Sequence, residues 1–504
     1  MIKKHFFAIT LSILILFSVK GLAYDLDDFK KEVVDLPSFL KAITPILPSE
    51  YAPRTEGTIE IREIGKNQYT LDIANLYLIP ANQVTSGKVT HKIRLGQFSI
   101  NCQKHADQKG FHFKALLPGT IKILGENDVP TGEIHIHQGT LEGDWDYSQK
   151  AVSSLTLGSQ AFDITDALKQ PLLEIEGLTI SEKIESVRPQ SLKSSLVYDI
   201  IKLWHHESKT LPSIKVDQFK IISRSEGMSK DHYQNIFELI TYLSLLKPMG
   251  LAEWNQNEAQ VQHQNLERLE PSINGLHVQF SLKNVTVNHQ IEKYDLTFEN
   301  LEQHIDLQNL DQNQFGLLVG FRLDNPHLLS PSLPKNILPE VVMFNITGEK
   351  IPQTAFWTAV RQFLVDSHLP GNKINLDWSL PPFIKAMKQA GTQFRINRAL
   401  YENDVFKLIG QGNFNFKPLA ERDMTAQANF TVKDIDSFIH QLTAAQIQNP
   451  DFGLFSTLIT LKLMREIGIP QEGVRKPSER KYDFTLDEAG NMKLNHFAFP
   501  KSKK

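Results

Sequence analysis

Lys407-Leu408-Ile409-Gly410-Gln411-Gly412-Asn413-Phe414-Asn415-Phe416 is followed by Met424-Thr425-Ala426-Gln427-Ala428-Asn429-Phe430-Thr431-Val432. In the second run Ala426, Ala428, Phe430 and Val432 fall on one face and Thr425, Gln427, Asn429 and Thr431 on the other. A period of two is the mark of a strand with one apolar and one polar side. Working outward, Thr392 to Leu400 reads as a partner strand around a turn at Glu402-Asn403-Asp404. Asp434 stands where it can cap a helix whose Ile435, Phe438, Ile439 and Leu442 form one stripe. Strand pair, strand and amphipathic helix make a unit, and looser versions are expected at Ile214–Leu246 and Val341–Val365.

The remainder carries the same signals. From Thr55 to about Ile184 short alternating runs such as Thr58 to Ile64, Tyr69 to Ile73, Gly110 to Leu116 and Glu133 to Gln138 are separated by turn residues. Helices are expected over 25–46, 194–206, 231–246, 354–365 and 382–390, and over 452–467, which is apolar nearly all round and therefore expected to be buried. Ser194 to His206 is assigned to a helix because Leu196, Ile200, Leu203 and Trp204 share a side, with His205-His206 at its C-terminus. Tyr482 to Leu486 and Met492 to Phe499 form a closing hairpin. The expected fold class is α+β, mostly antiparallel β-sheet drawn out into an elongated curved sheet or groove, with amphipathic helices packed on it.

The N-terminus is Met-Ile-Lys-Lys-His, an apolar run from Phe6 to Val19, and small residues Gly21 and Ala23. That is the pattern of a secretory signal over 1–23, with export to a periplasm expected; an uncleaved anchor is the alternative. Loss of Lys3, Lys4 and Lys20 takes the basic count from 54 to 51 against 57 acidic residues, a net charge of about −6. This balance gives no general attraction to nucleic acid or to an anionic membrane. The single cysteine, Cys102, excludes an internal disulfide and reads as a small core residue. Residues 24–250 form an N-terminal β-rich region, 251–270 a Gln-, Asn- and Glu-rich helix or linker, and 271–504 a C-terminal α+β region.

No GxSxG, HExxH, P-loop or CxxC is present, and Gly410-x-Gly412 lacks what a dinucleotide site needs, so no catalytic residue and no cofactor are assigned. Two weaker patterns remain. His135 and His137 alternate onto one strand face with His112 nearby, a metal-ligand reading set against an ordinary polar strand side. Arg475, Lys476, Arg480 and Lys481 form a basic patch that could contact a phospholipid headgroup or membrane surface.

The runs Phe406 to Phe416, Met424 to Val432 and Ile435 to Ile439, with the closing Tyr482-Asp-Phe-Thr-Leu486 and Gly490-Asn-Met-Lys-Leu494, resemble uncharacterised exported proteins of alphaproteobacteria. Those are distantly similar to the AsmA and TamB group of envelope proteins. The resemblance covers the last quarter of the chain and implies a β-rich groove with an apolar interior, no catalytic residues, and lipids or envelope proteins as partners. The chain departs from that group in its cleavable type of signal, its shortness for a bridge and its helix content. Three functions stand open to the sequence: a holder of an apolar ligand, an assembly factor for envelope proteins working through sheet edges, and a hydrolase whose site is not visible in linear sequence.

Overall fold

The computed structural model describes residues 51–80, 92–106, 110–146, 151–188, 191–207, 212–228, 273–289, 294–329, 338–366, 380–417, 424–448, 454–470 and 478–499. The expected signal, the helices over 25–46 and 231–246 and the polar stretch 251–270 lie outside them. Strand accounts for 69% and helix for 15% of the described residues, so the class is α+β dominated by antiparallel sheet. The chain divides into two compact units, one of Met1–His206 with Gln218–Ser272, the other of Glu207–Asp217 with Ile273–Lys504.

The first unit opens with β1 (Tyr51–Thr55), β2 (Ile59–Gly65), β3 (Gln68–Pro80), β4 (Lys92–Lys104), β5 (Gly110–Leu116) and β6 (Thr120–Leu124). It continues with β7 (Pro130–His137), β8 (Thr140–Asp146), β9 (Ala151–Ser159), β10 (Ala161–Asp166), β11 (Pro171–Arg188) and β12 (Ser191–His205), and most of β13 (Ser213–Met228). Pairing shows that the short strands are halves of long ones. Both β5 and β6 pair with β4, β8 and β7 pair with β5 and β6 in turn, and β9 and β10 both pair with β11. Likewise β1 and β2 share β3.

The breaks fall in line from row to row. They lie at Gly57, Ala74–Asn75, Gly96, Leu117–Gly119, Gln138–Gly139, Gln160, Glu176–Gly177 and Lys202. Backbone bonds join neighbouring breaks: Glu56 N–H donates to the Asn75 carbonyl (3.0 Å), Leu117 N–H to Gly139 (2.9 Å) and Gln160 N–H to His137 (3.0 Å). Gly57, Gly96, Gln138 and Lys202 hold left-handed backbone at their own strands' breaks, with φ of 103°, 79°, 50° and 50° in turn.

An added residue at each break resets the period of two, so the same face stays apolar on both sides of it. Leu71 and Ile73 give way to Leu76 and Leu78 in β3, Ile93 and Leu95 to Phe98 and Ile100 in β4, and Leu173 and Ile175 to Leu178 and Ile180 in β11, all buried. Bulges bend a strand and raise its twist, so eight rows broken in line put a crease across this unit.

The crease explains one correction. Ser194 to His206 is strand, not helix. Leu196, Tyr198 and Ile200 face inward at a period of two, and the break at Lys202 then moves the inward positions to Leu203 and His205. The resulting spacing of 196, 200 and 203 imitates a helical stripe. His206 caps no helix: its Nε2 lies 2.9 Å from Glu174 Oε1, and its ring lies tilted against Trp204 with centroids 3.9 Å apart.

The second unit contains β14 (Gly275–His289), β15 (Tyr294–Gln308), β16 (Gln314–Asp324), β17 (His327–Leu329) and β18 (Val341–Pro352). Then come α1 (Gln353–Asp366), α2 (Leu380–Ala390), β19 (Gln393–Asn403), β20 (Phe406–Phe416), β21 (Met424–Lys433), α3 (Ile435–Gln448) and α4 (Phe455–Ile467). It ends with β22 (Ile469–Pro470), β23 (Glu479–Leu486), β24 (Met492–Leu494) and β25 (Phe497–Ala498). The ladder runs β14, β15, β16, β18, β19, β20, β21, β23, β24, β25, antiparallel throughout. The strands read around Lys407 to Val432 are therefore three neighbouring rungs of it, β19, β20 and β21, and the strand-then-helix unit recurs as β18–α1 and β21–α3. The helix over 452–467 is found as α4, but it is not buried all round: only Leu458 and Leu461 are buried, while Phe455, Ile459 and Leu463 are exposed.

Candidate functional site

The strands of the second unit put their apolar residues in register. One row across the sheet reads Val278, Ile305, Val319, Ile346, Ile396, Gly412, Ala428 and Phe484, one residue from each of eight strands. The adjacent row reads Leu276, Leu307, Leu317, Gly348, Phe394, Phe414, Ala426 and Leu486. At strand spacings of about 4.8 Å eight strands span roughly 34 Å. Phe321 and Phe344 stack with centroids 5.2 Å apart on the same face. A bulge at Asn397–Arg398 lets β19 keep Phe394, Ile396, Ala399 and Tyr401 on that face, and the Asn397 amide donates to Asn345 Oδ1 at 2.9 Å.

Helices close the two ends of this face. At one end Phe356 of α1 meets Phe315 edge-on at 4.8 Å, and the buried Thr392 hydroxyl donates to the Lys350 carbonyl at 2.8 Å. At the other end α3 and α4 build a core from Phe406, Val432, Ile435, Phe438, Leu442, Leu458, Leu461 and Tyr482. The Tyr482 hydroxyl donates to the Met464 carbonyl at 2.8 Å, and burial pushes its pKa up to about 12. That bond ties α4 to β23.

Between the ends the apolar face is open. Val278, Ile305, Val319, Phe321, Phe344 and Ile346 are only half-buried, no more enclosed than His277, Gln279, His304 and Asn345 on the opposite, polar face. The first unit differs: its apolar face is buried from Leu71 to Ile200. Large apolar side chains held in one half-open surface are what an apolar ligand needs, and apolar contact is the larger part of most ligand sites. Glycines keep the surface low. A Cβ at Gly412 would come within 2.8 Å of Ala428 Cβ and of the Gln427 carbonyl oxygen, and one at Gly348 within 2.9 Å of the Phe394 ring. Gly410-x-Gly412 is thus a pair of strand glycines at a close approach, as its sequence context implied.

The residues singled out from sequence are placed elsewhere. His112 lies in β5, on the other side of the crease from His135 and His137 in β7. Its Nδ1 is 3.1 Å from Asp144 Oδ1, while His135 Nδ1 is 3.3 Å from Thr120 Oγ1 and His137 Nε2 is 3.3 Å from Asp163 Oδ1. Each imidazole has its own partner, and among the described residues no group of three or more His, Cys, Asp or Glu is placed to hold a metal. Asp144 gathers His112, His105 (3.1 Å) and Ser154, whose hydroxyl donates to Oδ2 at 2.7 Å. Burial works against its ionisation, but the bonds from Ser154, His112 and His105 outweigh that and hold the carboxyl below its usual range. Ser154 bonds the carboxylate directly, with no imidazole between to take its proton, so the cluster is not a nucleophile and base.

Of the basic patch, Arg475 and Lys476 lie outside the described residues. Arg480 and Lys481 are neighbours on β23 and so point to opposite faces. Lys481 lines a depression of about 380 Å³ of mixed character with Gln411, Asn429, Phe430 and Asp483. Cys102 is buried in β4 with its thiol pushed up to about 12 by burial.

No family model matches the chain, and no curated protein and no solved structure is detectably similar to it. The residues that the sequence reading missed as a site, Val278, Ile305, Val319, Phe321, Phe344 and Ile346, each lie in an alternating run. Their signal was present strand by strand; what was missing was the register that joins them.

Proposed function

We propose that this is a non-enzymatic, exported envelope protein that holds an apolar ligand, such as the acyl chain of a lipid, along the apolar face of its second unit. The observation that carries the reading is the half-open row from Val278 to Phe484, on a face with helices packed at the two ends of its strands. A lipid acyl chain reaches across about half of a ~30 Å hydrocarbon core, so a row of this length is long enough to take one lying across the strands. The ligand would bury side chains that are otherwise left half in water, at about 25 cal/mol per Å² of apolar surface covered. Holding such a ligand requires no bond to be broken or made. Native mass spectrometry of the chain purified from a bacterial periplasm tests it. An adduct of phospholipid or fatty-acid mass, removed by organic extraction and restored on incubation with the extracted lipid, is expected. A bare mass together with no uptake of a fluorescent fatty acid would overturn it.

A second reading, an assembly factor for envelope proteins, is favoured by one observation. Among the described residues the ladder ends in the two-residue strand β25, whose Phe497 is exposed together with Phe499 just after it. Exposed edges accept a strand from a partner.

A further inference from the structure

Helix α4 is apolar on two sides. Leu458 and Leu461 enter the core beneath it, and Phe455, Ile459 and Leu463, at i, i+4 and i+8, form a second stripe pointing outward. Their exposures are 70%, 44% and 57%. A buried stripe alone would account for the helix; the outer one is unexplained by the fold and costs solubility.

The geometry points to a docking face for an anionic lipid bilayer, with Phe455, Ile459 and Leu463 entering the headgroup boundary and Lys462 on their flank. Two observations select this occupant. The first is area. At those exposures three side chains offer roughly 300 Å² of apolar surface, well short of the ~800 Å² per partner in a standard protein interface. A bilayer needs no matching surface and takes isolated apolar side chains from a helix lying in its plane. The second is charge. Lys462, exposed on α4 next to Leu463, is a described basic side chain on the flank of the stripe, and a basic side chain beside an apolar helical stripe adds attraction to anionic lipid. Arg465 contributes less, being engaged by Glu466 at 2.7 Å and Asp436 at 3.5 Å. The inference stands apart from the ligand reading, since a bilayer could be bound by a protein that carries no lipid.

The test uses site-specific labelling of the full chain. Cys102 is buried, so a new surface thiol can be labelled selectively with an environment-sensitive dye. Ile459→Cys reports from the stripe, and Gln427→Cys, exposed on the polar face of β21, serves as the control. Vesicles of equal parts phosphatidylglycerol and phosphatidylcholine are compared with phosphatidylcholine alone. The dye at position 459 is expected to brighten and shift to the blue on the anionic vesicles, less with neutral ones and less at high salt, with no change at position 427. Phe455→Ser with Leu463→Ser, both at exposed positions that the fold does not use, should weaken the response at least tenfold. The inference is overturned if position 459 does not respond or if both positions respond alike. It is also overturned if position 459 responds to protein concentration without vesicles, which would assign the stripe to a second copy.

Discussion

Deleting Gly96 should damage the first unit far more than substituting it. Gly96 sits on the crease at φ 79°, with nothing within 4 Å of where a Cβ would stand. Gly96→Ala therefore meets only the left-handed backbone penalty, about 1–2 kcal/mol. Deletion removes the residue that resets the period of two. Either Ile93 and Leu95, which are 3% and 4% exposed, turn outward and bring Lys92 and Arg94 into the core, or β4 slips against β6. Losing the burial of two aliphatic side chains costs about 1.5–3 kcal/mol each, hence roughly 3–6 kcal/mol before any cost of the inward charges. A whole domain has only about 5–15 kcal/mol. At about 2–4 °C per kcal/mol for a unit of this size, the melting point should fall by roughly 6–24 °C for the deletion and 2–8 °C for the alanine. Differential scanning calorimetry gives the shift, and amide exchange locates it in β4 and β6. A deletion variant melting no lower than Gly96→Ala would refute the argument that the aligned breaks maintain the apolar face.

Three further outcomes follow from the same geometry. Ile346→Asp puts a charge in the middle of the open face where the side chain is only half-buried; it should leave the far-ultraviolet spectrum unchanged while weakening fatty-acid uptake about 100-fold, taking three to four methylenes at about 0.8 kcal/mol each, and unchanged uptake would place the ligand elsewhere. The Asp144 carboxyl is held below its usual range, so it contributes stability above the ordinary carboxylate pKa of about 3.9 that is lost as pH falls through the folded value. Asp144→Asn should accordingly melt lower than the wild type at neutral pH, with the gap closing in acid; a gap that stays constant with pH would show that the carboxylate's charge plays no part. Cys102, buried and with its thiol pushed up to about 12, should resist a thiol reagent at mildly alkaline pH until the first unit opens, and labelling at the rate of a free thiol would contradict its placement in the core.

How much was legible before the fold was known varies from element to element. Alternation alone located β20, β21 and β23, and the stripes Phe356–Trp357–Val360 and Ile435–Phe438–Ile439–Leu442 located α1 and α3, because periods of two and of 3.6 follow from local backbone geometry. The helix expected over 194–206 failed where left-handed backbone at Lys202 shifted the period within a strand. Such a turn of the backbone at a lysine leaves no mark in the pattern of apolar residues. The all-round burial expected of α4 failed for a related reason: apolar residues on every side of a helix state that it avoids water, not what it meets.

The sequence by itself determined the class, α+β with antiparallel sheet, and which side of most strands is apolar, since each depends on residues a few positions apart. Only the tertiary structure decided that eight short-range patterns in the first unit are rows crossed by one crease. It also decided that the apolar sides from β14 to β23 meet in a face left half-open between two helical ends, while His112, His135 and His137 stay apart. Those outcomes depend on register between residues up to some two hundred positions apart, as Val278 and Phe484 are. Strand pairing, through backbone hydrogen bonds that carry no side-chain label, is what brings them into one row.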